Sequence, residues 1–170
     1  MRVYLIGYMY SGKTTIGRKL AERLGYQFFD TDQFFESYYR TSITLFFKRY
    51  GEEAFRKLEQ RLLHTTANLD NAVISTGGGT PCYFDNLQWI NQNGVSVYFD
   101  VSMEALLHRI EASKRLRFRP VLADKTEEER AMFVRQQLDQ RLPYYRKANI
   151  IFPADHPDIA ELVRLISSEN

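Results

Sequence analysis

A single cysteine, Cys82, stands among 170 residues, so the chain can form no internal disulfide and no multi-cysteine zinc site. That economy suits a reducing compartment. Long hydrophobic runs are also missing, and nothing approaches the roughly 18 consecutive apolar residues of a membrane span. At the N-terminus the run Val3-Tyr4-Leu5-Ile6 stops at Gly7, short of the roughly 7–15 apolar residues in a signal-peptide core. The expectation is a complete, cytoplasmic chain with no membrane partner. An excess of one charge is lacking too. Lys plus Arg number 23 against 21 Asp plus Glu, a formal charge of +2, too little for a broad nucleic-acid or acidic-membrane surface. Functional charge must therefore be local. His64, His108 and His156 are too scattered to suggest a zinc site, and no repeat, low-complexity tract or Pro/Gly/Ser linker divides the chain. A single domain over residues 1–170 follows, at a length close to the roughly 150 of a typical domain. Aromatics are what it has in plenty: 12 Phe, 11 Tyr and 1 Trp. The core or a cleft must accommodate that many rings.

Along the chain, Val3 to Ile6, a glycine-rich turn, an amphipathic stretch from Thr14 to Leu24, and Tyr26 to Phe29 read as a βαβ unit. Ile16, Leu20, Ala21 and Leu24 recur at helical spacing, and Gly25 stops the helix. Three more short apolar runs, Ala72 to Ile74, Val95 to Phe99 and Asn149 to Phe152, look like buried strands. Helices are expected near 33–39, 43–50, 52–69, 85–93, 103–112, 127–145 and 158–167. Ser102 can cap one of them, and Thr126 with Glu129 forms a capping-box pattern. Residues 113–124 have no helical or strand period; Lys114, Arg115, Arg117 and Arg119 surround Leu116 and Phe118 ahead of Pro120. The alternation predicts an α/β fold, a three-layer α/β/α sandwich on about five parallel strands.

Gly7-Tyr8-Met9-Tyr10-Ser11-Gly12-Lys13-Thr14 matches the phosphate-binding pattern G-x-x-x-x-G-K-[ST]. Backbone N–H groups of such a turn converge at a helix N-terminus, where the helix dipole favours an anion. Lys13 adds a point charge for the β/γ-phosphates, and the Thr14 hydroxyl can ligate Mg²⁺. The second strand runs into Asp30-Thr31-Asp32. In an extended chain those two carboxylates share a side and face the phosphate loop at the ligand-binding end of the sheet. One could position Mg²⁺ through water and the other hold a substrate hydroxyl as base or orienter; the rival reading makes them caps of the next helix. Val73 to Gly79 is a strand ending in three glycines, which lets backbone donors approach a ligand closely. Arg56, Arg119 and Arg141 complete the candidates, and for each the alternative is a solvated helix face.

In this order the motifs resemble the shikimate kinase family, small ATP-dependent enzymes of the nucleoside-monophosphate-kinase-like P-loop fold. The likeness rests on Gly7 to Thr15, Asp30-Thr31-Asp32, Gly51 to Glu59 with Phe55-Arg56, Thr76 to Gly79, Arg119-Pro120-Val121-Leu122, and Arg141 to Tyr145. It implies a P-loop kinase fold with a helical acceptor-binding insert at about 31–69 and a lid at about 113–124. It implies, too, that Gly12, Lys13, Thr14 and Thr15 hold the ATP phosphates, with Thr14 and, through water, Asp30 serving Mg²⁺. Asp32 would bind the shikimate hydroxyls and orient or deprotonate the attacking one. Arg56 and Arg141 would grip the carboxylate, Gly78 would approach the ring through its backbone, and Arg119 would swing in with the lid and neutralise the transferring phosphoryl group. Two positions depart from the family pattern. Tyr10 stands where the family usually has glycine, and the lid is a few residues long, with extra Arg117 and Phe118.

The implied activity is phosphoryl transfer from MgATP to the 3-hydroxyl of shikimate, with Lys13, Asp32 and Arg119 as the catalytic set. A monomer is expected. The rivals are a kinase of the same fold acting on gluconate or a nucleoside monophosphate, and a nucleotide-binding regulatory module. Phe28, Phe29, Phe34, Phe35, Phe46, Phe47, Phe55, Tyr144 and Tyr145 cluster around the acceptor segments, where some would wall the cleft and the rest belong to the core.

Overall fold

Val3, Tyr4, Leu5 and Ile6 are wholly buried, which is the condition of a central parallel strand covered on both faces. The computed structural model describes residues 1–114, 116 and 120–169. Its five strands, β1 (Arg2–Ile6), β2 (Gln27–Asp30), β3 (Ala72–Ser75), β4 (Val95–Asp100) and β5 (Ile150–Pro153), form one parallel sheet in the order β2-β3-β1-β4-β5. In register, Leu5 of β1 lies opposite Ser75 on one side and Val97 on the other. The chain leaves β1 toward β3 and β2 and later returns to the opposite side as β4. Such a reversal opens a crevice at the carboxyl ends of the central strands, where open α/β sheets take their ligands.

Eight helices flank the sheet among the described residues: α1 (Lys13–Leu24), α2 (Thr31–Tyr39), α3 (Ile43–Thr65), α4 (Asn86–Asn93), α5 (Met103–Glu111), α6 (Pro120–Ala123), α7 (Glu127–Tyr145) and α8 (Ile159–Ser167). Alternation along β1 sorts them into layers. A Cβ on Gly17 of α1 would lie 2.8 Å from Leu5 Cδ1, whereas Tyr4, on the opposite face, meets Trp89 of α4 edge-on at 6.0 Å. Helix α8 packs on α1. Tyr98, register partner of Ile6 on the Tyr4 face, stacks on Tyr145 of α7 at 5.1 Å. The three layers follow.

Local signals work as expected at two helix starts. Ser102 Oγ accepts from Ala105 N at 3.2 Å, and Thr126 and Glu129 exchange both bonds of a capping box. The two helices expected at 43–50 and 52–69 are present, meeting inside α3 at a kink where Gly51 leaves helical geometry at φ 82° and ψ 169°. Two expectations are corrected. The second of these helices ends at Thr65, and Thr66–Asn68 continues as a 3₁₀ turn. Within 113–124, Pro120–Ala123 is helical; proline fits a first helical turn, where its missing N–H costs nothing.

Candidate active site

The phosphate loop joins β1 to α1. Gly7 has φ 145°, and a Cβ there would lie 3.1 Å from the Phe99 carbonyl oxygen and 3.2 Å from Ser11 Oγ. Gly12, at φ 93°, caps α1. Between them Tyr10 is also left-handed, at φ 62°. This conformation is costly for a residue with a side chain, which gives the expectation of a glycine at this place a physical reason. The Tyr10 carbonyl accepts from Arg109 at 3.3 Å, while the same guanidinium donates to the carbonyls of Ala154 and Asp155 at 2.7 and 3.1 Å. Arg109 thus ties the loop to the segment after β5. Lys13 is buried, and its Nζ donates to Gly7 O at 2.7 Å, Tyr8 O at 2.8 Å and Ser11 Oγ at 3.3 Å. The ammonium therefore sits within the loop that the motif assigns to phosphates.

Asp30 divides its oxygens between the phosphate loop and the next helix. Oδ2 accepts from the Thr14 hydroxyl at 2.8 Å, while Oδ1 caps α2 by accepting from Asp32 N and Gln33 N, each at 3.1 Å. Asp32 belongs to the first turn of α2, so the expected extended alternation is corrected. Both carboxylates line the same cavity all the same.

In that cavity, each of the three glycines after β3 lies against a charged group, and Gly78 also lies against the phosphate loop, where a Cβ would be 3.4 Å from Gly7 O and from Met9 N. A Cβ on Gly77 would lie 2.8 Å from Asp32 Oδ1 and 2.9 Å from Glu59 Oε1; on Gly78, 3.2 Å from an Arg141 nitrogen; on Gly79, 2.6 Å from an Arg56 nitrogen. The glycines thus make room for side chains as well as offering backbone donors. Arg56 is buried beneath the Tyr83 ring at 4.1 Å and donates to Glu59 Oε2 at 2.9 Å. Glu59 also receives the Thr80 hydroxyl at 2.6 Å. Burial works against the Arg56 charge, but Glu59, Tyr83 and Glu52 together outweigh it and raise its affinity for the proton. Glu52 accepts from the same guanidinium and from Tyr83. Partial burial pushes its carboxyl up, yet the bonds from Tyr83 and Arg56 together hold it below the usual carboxylate range.

These groups share one open cavity of about 750 Å³, and every predicted site residue except Arg119 lines it. Arg119 lies outside the described residues. Phe47, one of the rings expected near the acceptor segments, lines it as well, and so do Glu52, Glu59 and Gln137, which had no role assigned from sequence. Gln137 accepts from the Tyr8 hydroxyl at 2.7 Å and so links α7 to the phosphate loop. Arg56 and Glu59 are one helical turn apart, a spacing that can be read in sequence; nothing local marks Arg109 or Gln137. Cys82 is half-buried near Arg56 and Arg141, and burial pushes its thiol up to about 11. Among the described residues no group of three or more His, Cys, Asp or Glu could hold a metal ion, and no helix is long and apolar enough to cross a membrane.

A parallel sheet with a phosphate loop at its central strand, a lysine and hydroxyl at the loop's end, and Asp32, Arg56 and Arg141 lining the same cavity belong to the class of P-loop kinase folds. Within that class the chain belongs to the shikimate kinase family, whose model matches residues 9–169. A shikimate kinase of Parabacteroides distasonis is 44% identical over 154 residues, covering 91% of this chain and 88% of the relative. The crystal structure of shikimate kinase from Bacteroides thetaiotaomicron superposes with a TM-score of 0.89 at 36% identity, over 99% of this chain and 96% of that one. The Acinetobacter baumannii enzyme, solved in complex with shikimate, gives 0.87 at 32% identity, over 99% and 94%.

Proposed function

We propose that this chain transfers the γ-phosphoryl group of ATP to the 3-hydroxyl of shikimate, forming shikimate 3-phosphate and ADP. The observation that carries the reading is the shared cavity, lined by the phosphate loop together with Asp32, Arg56 and Arg141, in a chain of the shikimate kinase family. The shikimate complex of the Acinetobacter baumannii relative supports the acceptor. The family and these acceptor residues together favour shikimate over gluconate, a nucleoside monophosphate or a module without catalysis.

In the proposed roles, the loop N–H groups, Gly12, Lys13, Thr14 and Thr15 bind the phosphates, with Lys13 exchanging loop carbonyls for phosphate oxygens. Thr14 and Asp30 fit a hard cation. Both offer oxygen, and because the Thr14 hydroxyl donates to Asp30 its lone pairs remain available. Mg²⁺, when bound there, would neutralise charge on the β- and γ-phosphates. Arg56 and Arg141 receive the shikimate carboxylate through charge-assisted bonds, and Gly78 lets the ring approach backbone. Asp32 orients the 3-hydroxyl and takes its proton as the new O–P bond forms and the bond from the γ-phosphorus to the β,γ-bridging oxygen breaks. Arg119, on the proposed lid at 113–124, neutralises the transferring group, and lid closure excludes water. The acceptor region at 31–69 and the lid complete one domain, working as a cytoplasmic monomer.

A coupled ADP assay with shikimate, gluconate and CMP in parallel tests the reading. Shikimate alone should stimulate ADP release, and no stimulation would sink the assignment. Asp32→Asn should leave ATP binding near wild type and slow turnover by about 10²-fold or more; normal turnover would remove Asp32 from the chemistry.

A further inference from the structure

Arg56 is held by two carboxylates with different surroundings. The Glu59 side chain is 4% exposed and pinned by the Thr80 hydroxyl, whereas that of Glu52 is 51% exposed. A single Glu52 oxygen, Oε1, receives Arg56 Nε at 3.2 Å and NH2 at 3.1 Å, together with the Tyr83 hydroxyl at 2.8 Å. Glu52 thus covers the Nε/NH2 edge, one of the edges through which a guanidinium pairs with a carboxylate. A carboxylate arriving in the cavity meets an arginine whose charge is already balanced and whose side edge is taken. Glu59 cannot give way without leaving its charge buried. Glu52 can, because water already reaches half of it and it directly follows Gly51, where α3 departs from helical geometry.

We infer that Glu52 is a displaceable placeholder, competing with the acceptor's carboxylate for the Nε/NH2 edge of Arg56 and withdrawing toward solvent when the acceptor binds. The inference rests on the reading that Arg56 receives the shikimate carboxylate, and it adds a residue that sets acceptor affinity by opposing binding. A residue that merely positions Arg56 would act in the opposite direction, so the sign of the effect is diagnostic. Replacing Glu52 by Gln keeps an oxygen for Tyr83 and Arg56 while removing the competing charge. The KM for shikimate should fall by about three- to fivefold, the size expected for losing one partly exposed ion pair, with kcat within about twofold of wild type. Glu53 supplies the control. It is exposed, pairs with Lys57 at 2.7 Å and lies outside the cavity lining, so Glu53→Gln removes the same charge from the same turn and should leave KM unchanged.

The experiment measures initial rates against shikimate at saturating ATP for wild type, Glu52→Gln, Glu52→Ala and Glu53→Gln, with urea midpoints showing that each variant is folded. A lower KM in Glu52→Gln with none in Glu53→Gln supports the placeholder. An unchanged or higher KM in Glu52→Gln, or an equal fall in Glu53→Gln, overturns it while leaving the acceptor assignment standing. Absence of shikimate-dependent ADP release in the wild type overturns the assignment itself, and the inference with it.

Discussion

Glu59 shows how much one buried carboxylate can hold. It fixes Arg56 on one side and Thr80 on the other, with side-chain exposures of 9% for the arginine and 4% for the glutamate. Breaking such a pair leaves a charge without its partner, at a cost of about 3–5 kcal/mol. Because Glu52 still serves Arg56, the lower end applies. Glu59→Ala should lose about 3 kcal/mol in urea unfolding and raise the KM for shikimate more than that for ATP. An equal rise in both would mean that the site fails as a whole. Cys82 carries a prediction of the opposite kind. Burial raises its thiol to about 11, against the pull of Arg141 and Arg56, from an ordinary value of 9.0. The folded chain keeps a proton that the unfolded chain gives up, so this contribution to stability is complete below pH 9 and lost as pH rises toward 11. At pH 8 the native thiol should react with iodoacetamide about a hundredfold more slowly than the urea-unfolded chain, in proportion to thiolate. Equal rates would show that burial does not protect it.

At the scale of elements, two glycines in helices separate backbone cost from packing cost. A Cβ on Gly51 would meet nothing within 4 Å, but φ is 82°. With ψ 169° this is a conformation essentially confined to glycine, so Gly51→Ala should cost about 1–3 kcal/mol through the backbone alone and also disturb shikimate binding, since Glu52 and Arg56 follow it on α3. Gly17 is helical, yet a Cβ there would lie 2.7 Å from Phe28 Cε2. Gly17→Ala should cost about 1–3 kcal/mol by overpacking while leaving the KM for shikimate alone. Parallel urea melts and rate curves for the two variants check both statements, and an altered shikimate KM in Gly17→Ala would contradict the second. The same two helices show what sequence made legible. Helix α1 was readable because its start is a motif, its apolar positions keep one period, and Gly25 ends it. The strands were readable as short apolar runs between helices. The kink at Gly51 was legible as a break between two helices, but the direction in which the second departs was not, because that depends on how α3 packs against α2. Within the site, Lys13, Thr14, Asp30 and Asp32 lie in or beside motifs with a mechanism of their own. Arg109 reaches back to Tyr10, and Gln137 to Tyr8, across separations that no local pattern encodes.

Over the whole molecule the aromatic surplus resolves into two apolar clusters. The larger surrounds the sheet, while Phe35, Phe46, Phe55 and Leu62 form a second one between α2 and α3, joined to the first through the half-buried Phe29. Phe35 is the hub of the second, with ring centroids 4.6 Å from Tyr39, 5.2 Å from Phe46 and 5.0 Å from Phe55. Of the rings expected around the acceptor segments, Phe47 and Phe55 line the cavity, and Tyr145 lies buried with its hydroxyl on the Gly78 carbonyl at 2.5 Å. A cluster of four buried residues under two helices has less apolar contact to lose on opening than the sheet does, so α2 and α3 should open at lower free energy than β1 and β4. On the proposed role of 31–69 as the acceptor region, that region would then yield and re-form around a substrate while the phosphate loop, anchored on β1, stays in place. Native-state hydrogen exchange should find α2 and α3 amides exchanging through a smaller opening than those of β1 and β4. Phe35→Ala, which removes about 3–5 kcal/mol of packing, should lower protection in α2 and α3 first, with β1 and β4 still limited by global unfolding. Equal opening free energies for both sets in the native protein would mean that Phe29 joins the clusters into one cooperative unit, and that the acceptor helices cannot move without the sheet.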